Sequence, residues 1–150
     1  MILAFDRGPY FALVNEIGII AQLGRTLLES RLPYGLNQAQ FSVLNHLARL
    51  GDGRTPLAMA KAFQTPKTSM THTLAVLEAQ GLVELRPNPK DGRSRCVWLT
   101  DKGRAAREEA IASLDPDFEK MAARFSPEDL AKITPFLTEL RQYLDAARDD

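Results

Sequence analysis

Along the first third of the chain, apolar residues recur at the spacing of a helix face. Phe11, Val14, Ile17, Ala21, Leu27 and Leu28 form one such row, and Phe41, Leu44, Leu47 and Leu50 form a second. The spacing predicts a helix from about Pro9 to Arg31, stopped by Pro33, and another that Asn37 caps and that ends near Leu50. Gly51-Asp52-Gly53 reads as a turn into a short third helix, Pro56 to Phe63. After the tight turn at Gln64-Thr65 a fourth helix is expected from Pro66 to about Gln80, with Gly81 where a left-handed C-terminal cap is wanted. Five prolines follow a side-chain acceptor: Thr55-Pro56, Thr65-Pro66, Asp115-Pro116, Ser126-Pro127 and Thr134-Pro135. Each pair has the form of an N-cap followed by the first helical residue, though not all five need begin separate helices. Thr65 is therefore read as a cap whose hydroxyl serves a backbone N–H.

The period then shortens to two. Leu82 to Arg86 and Arg95 to Leu99 alternate and are rich in strand formers, while Pro87 to Ser94 holds two prolines, a glycine and an asparagine. This predicts a β-hairpin with a long basic tip. From Thr100, a further cap, the pattern is helical to the end, with the row Leu130, Ile133, Leu137, Leu140 and Leu144 flanked by Phe136 and Tyr143. Pro116 and Pro135 are expected to kink or restart this region. The fold class that follows is mainly α with a small β-hairpin wing. A winged helix-turn-helix core occupies 35–100, with its recognition helix at 66–80 and its wing at 82–99. Residues 1–34 and 101–150 supply dimerisation helices, because they carry more apolar surface than so small a core could cover.

Composition adds limits. A chain of 150 residues, 45% apolar and 25% charged, suits one soluble domain and excludes disordered or collagen-like sequence. Cys96 is the single cysteine, so no internal disulfide can form. The apolar start, Met1 to Phe5, is interrupted by Asp6 and Arg7 too soon for a signal peptide, and Ile17 to Leu23 falls short of the roughly 18 apolar residues of a membrane span. The expectation is a cytoplasmic protein without a membrane segment. Nineteen bases balance nineteen acids, yet the zero hides an asymmetry: residues 1–60 sum to +1, 61–107 to +5 and 108–150 to −6. The basic segment contains the helix-turn-helix and the wing, as expected of a surface that meets phosphate.

Two helices joined by a short turn and followed at once by a hairpin can lay the second helix in a major groove while the hairpin tip reaches the neighbouring backbone or minor groove. On that helix Lys67, Thr68, Thr71 and His72 lie on or near one exposed face, and Met70, Leu74 and Leu77 make the buried stripe. At the wing, Lys90, Arg93 and Arg95 surround Asp91, which is expected to orient the Arg93 guanidinium by a charge-assisted hydrogen bond. Plainer roles compete: hydroxyls near a helix start often only cap or meet solvent, and a charged turn often pairs its ions incidentally.

The runs Leu77-Glu78-Ala79-Gln80-Gly81-Leu82-Val83, Asp91-Gly92-Arg93-Ser94 and Val97-Trp98-Leu99-Thr100-Asp101-Lys102-Gly103 closely resemble the MarR family of bacterial transcriptional regulators. The resemblance extends over nearly the whole chain. It implies a winged-helix homodimer on a pseudo-palindromic operator of double-stranded DNA, commonly a repressor relieved by a small-molecule effector or an oxidant. Carried over by position, recognition-helix contacts fall on Lys67, Thr68, Ser69, Thr71 and His72, and the wing Asp and Arg on Asp91 and Arg93. Two departures stand out. His72 occupies a position where relatives often carry Arg, which alters base preference and opens a pH dependence near neutrality. Leu85 stands where a basic residue is usual, with Arg86 next to it.

Other readings leave fewer traces. No nucleophile and base pair, metal-ligand spacing or glycine-rich phosphate loop is evident, so neither an enzyme nor a metal or cofactor site is expected. His46, on a largely apolar helix, reads as a core or interface histidine rather than a ligand. Cys96 could make the protein a redox-responsive regulator, but a lone strand cysteine is usually a small packed hydrophobe. Trp98 is a partly exposed packing residue or a pocket wall. A winged helix used only for protein interaction is the other alternative, since the fold does not fix function. For an effector, the expected place is the crevice between the dimerisation helices and the winged domain, with Tyr10, Arg25, His46 and Arg49 as candidate lining.

Overall fold

The structure is a computed structural model and describes residues 4–148, which leaves Met1 to Leu3 of the apolar start outside the described residues. The chain divides into two compact units, Met1–Ser113 and Leu114–Asp150.

The first unit runs α1 (Gly8–Arg31), a 3-10 turn (Pro33–Gly35), α2 (Gln38–Leu50), α3 (Pro56–Phe63), α4 (Lys67–Ala79), β1 (Val83–Asn88), β2 (Asp91–Leu99) and α5 (Asp101–Ala112). Its helix starts follow from side-chain caps. Asn37 and Gln40 form a reciprocal box, Oδ1 of Asn37 accepting from the Gln40 N–H at 2.9 Å and Oε1 of Gln40 from the Asn37 N–H at 3.0 Å. Thr55 accepts from the Ala58 N–H at 3.1 Å, and Thr100 from the Gly103 N–H at 2.9 Å. Helix α4 ends as predicted: Gly81 has φ of 72°, and the N–H groups of Gly81 and Leu82 close on the carbonyls of Glu78 and Leu77.

Thr65 departs from the expectation. Pro66, with ψ of 145°, is the residue before α4, and no side chain caps the helix. The preceding turn is spent on finishing α3: Gln64 takes a left-handed φ of 52°, and the Thr65 N–H donates to the Ala60 carbonyl at 3.0 Å. The chain thus reaches Pro66 still extended, and the helix begins one residue late.

The core joins these elements. Val43, Leu44 and Leu47 of α2, Met59 of α3, Leu74 and Leu77 of α4, Leu82, and Val97 of β2 are all at most 2% exposed. Helix α5 approaches the hairpin so closely at Gly103 that an added Cβ would overlap the Leu82 carbonyl oxygen. The hairpin is antiparallel, pairing Val83 with Leu99 through Pro87 with Arg95, and then Asn88 with Asp91. The tip is therefore not the long loop expected: both strands extend to a turn at Pro89-Lys90, and the surplus length is a bulge, Gly92 to Ser94, on β2. A third strand position, absent from the sequence reading, comes from Arg54, whose carbonyl accepts from the Val97 N–H at 2.8 Å. Asp52 locks this edge, its carboxylate accepting from the Leu99 N–H at 2.7 Å.

Helix α1 departs from the membrane expectation. Glu16 and Arg25 are the only charges from Pro9 to Leu28, and by length and composition this helix could cross a bilayer. The Ile17 to Leu23 stretch alone understated it, because small and uncharged polar residues continue the segment on both sides. Its last turns belong to the winged unit: Glu29 accepts from the Gln38 N–H at 3.0 Å, a bond that holds its carboxyl below the usual carboxylate range.

The second unit comprises α6 (Asp115–Ala122) and α7 (Pro127–Ala147). Ser126 caps α7 through the Asp129 N–H at 3.2 Å. Pro116 marks a restart, as expected, but the cap position is Leu114 rather than Asp115. The Leu114 backbone is already helical, and its carbonyl accepts from Asp117 and Phe118. Pro135 sits inside α7 and restarts nothing, so Thr134 is not a cap. The proline forgoes one backbone bond, and a helix of 21 residues carries on through it.

Candidate nucleic-acid interface

Helix α4 is held from one side and open on the other. Met70, Leu74 and Leu77 are 4%, 2% and 0% exposed, whereas Lys67, Thr68, Ser69, Thr71 and His72 are all exposed. At about 100° per residue, Thr68 and His72 stand one turn apart at the centre of the outward face, and Ser69 and Thr71 fall on opposite flanks. The Thr71 hydroxyl donates to the Lys67 carbonyl at 2.9 Å, which fixes its rotamer and leaves its oxygen to accept. On the Ser69 flank lies a cavity of 320 Å³ lined by Arg25 of α1, Gln38 and Ser42 of α2, Phe63 and Thr65, and Ser69, Met70 and Thr73 of α4. The missing cap at Pro66 has a consequence here: among the described residues the first-turn N–H groups of α4 meet no side-chain acceptor, and such an end favours an anion.

The wing brings Lys90, Asp91, Arg93 and Arg95 together, all exposed. Asp91 does engage Arg93, but through the main chain: its Oδ1 accepts from the Arg93 N–H at 2.9 Å. Among the described residues no ion pair joins the Asp91 carboxylate to the Arg93 guanidinium. The expected side-chain contact gives way because a carboxylate two residues before an N–H closes a compact turn without ordering a long side chain. Arg93 itself is exposed.

Below the tip, Arg86 lies 4.3 Å over the Trp98 ring and hydrogen-bonds Glu84 at 3.3 Å. Glu84 pairs with Trp98 across the strands, so Arg86 reaches the ring diagonally. Trp98 and Cys96 wall a groove of 520 Å³ with Thr55, Arg86, Asn88 and Lys90. Trp98 thus both packs and walls a pocket, while Cys96, 6% exposed, is the packed hydrophobe of the plainer reading.

Of the four candidate effector residues, Arg25 alone lines the cavity beside α4, and it pairs with Glu29 at 3.4 Å. Tyr10 is 65% exposed and contacts Phe5, near the other end of α1. His46 packs its ring 5.0 Å from Phe63, and Arg49 is exposed. Burial, then the charges of Arg54 and Arg49, push the His46 imidazole below its ordinary range. Among the described residues no group of His, Cys, Asp and Glu could hold a metal ion. Sequence reasoning missed Asp52, Arg54, Glu29 and Asn88. For Asp52 the flanking glycines, and for Asn88 the following proline, were the available signals of side-chain to backbone bonding.

Residues 34–94, which include α2 to α4 and most of the hairpin, match the model of the MarR family. Over these residues the chain is similar to the MarR family. Wild-type MarR from E. coli in its apo form is 27% identical, with a TM-score of 0.72 over 85% of this chain and 96% of that one. A mutant MarR from E. coli complexed with operator DNA is 25% identical, with a TM-score of 0.70 over 91% of this chain and 99% of that one. A MarR transcriptional regulator from Methanosarcina mazei Go1 shares the fold at a TM-score of 0.77 and 23% identity, over 87% and 94% of the two chains. Helix α4 and most of the β1–β2 hairpin lie within the matched residues.

Proposed function

We propose that this chain is a DNA-binding transcriptional regulator that acts as a homodimer on a pseudo-palindromic operator, as a repressor released by a small-molecule ligand. The observation that carries the reading is the pairing of an outward polar face on α4, fixed by a buried stripe, with an exposed basic wing tip. In this reading Thr68, Ser69, Thr71 and His72 meet base edges, Lys67 meets a phosphate near the α4 N-terminus, and Lys90, Arg93 and Arg95 meet the backbone or minor groove. Asp91 shapes the wing turn. The likeness to a MarR structure complexed with operator DNA supports the same partner here.

Dimerisation draws on the uncovered apolar faces. On α1, Phe11, Val14, Ile20 and Leu23 are 56–68% exposed, and on α7, Ile133, Phe136, Tyr143 and Leu144 are 53–69% exposed. A second copy covers these faces and brings two recognition helices about one DNA turn apart, roughly 34 Å. The cavity between α1, α2 and α4 is the place for an effector, with Arg25 to meet an anionic group, and a bound ligand acts by favouring one spacing of the two recognition helices. Such a regulator works in the cytoplasm, where its DNA is.

Selection of duplexes from a random pool by the purified full chain tests the reading. The expected product is one inverted repeat, bound with an affinity that falls steeply with salt. Enrichment of no sequence would contradict it.

A further inference from the structure

The wing tip is built around a residue that the DNA reading has so far left unused. Beyond the Pro87–Arg95 pair the register jumps to Asn88–Asp91, so Gly92, Arg93 and Ser94 have no ladder partners on β1. A bulge without ladder bonds needs other bonds to hold it, and here one side chain supplies two. Oδ1 of Asn88 accepts from the Lys90 N–H at 3.0 Å, and its Nδ2 donates to the Ser94 hydroxyl at 2.9 Å. That hydroxyl in turn faces the Asp91 carbonyl at 3.4 Å. From Pro87 to Arg95 only Asn88 and Ser94 are not exposed.

We propose that Asn88 is a positioning residue for DNA recognition, its amide tying the turn at Lys90 to the far end of the bulge at Ser94 so that Arg93, between them, is presented to the duplex in one orientation. The proposal rests on the DNA reading above. An amide suits this place because it offers an acceptor and a donor at once, whereas a carboxylate would offer only acceptors and add a negative charge beside Asp91, close to phosphate. Both strain and flexibility at the tip are thereby limited without any charge. Asn88 touches no DNA in this account and acts through Arg93.

Of two neutral variants, Asn88→Ala removes both bonds of the clamp and Ser94→Ala only the one to the Ser94 hydroxyl, and neither residue lies in the buried core. Backbone order of Arg93, read by NMR relaxation on the free protein, should fall from rigid to flexible in both, with the thermal midpoint unchanged. Affinity for the selected duplex should fall about tenfold in Asn88→Ala, by no more than that in Ser94→Ala, and no further in the double variant than in Asn88→Ala, because the Asn88–Ser94 bond is shared by the two side chains. In an Arg93→Ala background, Asn88→Ala should cost nothing more. Unchanged order at Arg93, or the same loss with and without the Arg93 side chain, would overturn the proposal while leaving the DNA reading intact. If order falls as expected but the unmodified chain selects no duplex, the DNA reading fails and takes the role of Asn88 in recognition with it.

Discussion

Leu74 and Leu23 are both leucines on amphipathic helices, yet Leu74 is 2% exposed and Leu23 is 66% exposed. The contrast holds for the regions they represent. Helices α2 to α5 and the hairpin bury their apolar residues against one another, and their caps, the Asp52 lock and the Gly103 contact close the winged core from within. Helix α1 has no buried residue, nor do α6 and α7. Burial of apolar area is the main favourable term in folding, so in the proposed dimer the two regions answer to different partners: the core to itself, the outer helices to a second copy.

Charging the outer face should break this comparison most visibly. Ile20→Glu with Leu23→Glu puts four carboxylates into a two-copy interface, and at about 1.5–3 kcal/mol per aliphatic side chain unburied the association should weaken by about 6 kcal/mol or more. Sedimentation should then show monomers with a folded winged core; an unchanged dimer would mean that this face is covered by something else. A matched pair of truncations sharpens the point. Leu74→Ala should cost about 3 kcal/mol at every protein concentration. Leu23→Ala should lower thermal stability only where the dimer is populated, so that its midpoint depends on concentration. Gly103→Ala, in the core, should cost about 2 kcal/mol by forcing α5 off the Leu82 carbonyl.

Smaller effects belong to the exposed interface. Arg93→Ala should weaken duplex binding about tenfold and reduce the salt dependence by about one ion, with stability unchanged. Lastly, the imidazole of His46 is held below its ordinary range in the fold, so the unfolded chain binds the proton more readily. Stability should be fully present above about pH 6.5, the ordinary range, and decline as pH falls below it. His46→Gln should flatten that limb in denaturant titrations, which a surface histidine without burial would not do.

Much of this was legible in the chain. Cap residues, proline positions and apolar spacing gave α2, α3 and the end of α4, because those signals are local and the core agrees with them. What was not legible depended on contacts across many residues. The Arg54–Val97 bridge joins positions 43 apart, and Asp52 reaches Leu99 across 47, so neither has a local pattern. Thr65 and Asp115 were misread because one turn can serve either the helix it ends or the helix it begins, and packing decides which. At the wing, the acid beside Arg93 was visible, but whether it would meet a guanidinium or an N–H was a matter of backbone geometry.

The central claim is that the apolar faces of the outer helices are covered by a second copy, so that two recognition helices address one operator. Native mass measurement of the complex with the selected duplex tests it most directly. The account predicts two chains of 16.7 kDa on each duplex, with no singly bound species building up during titration. One chain per duplex at saturation, bound as tightly as the best site allows, would contradict it.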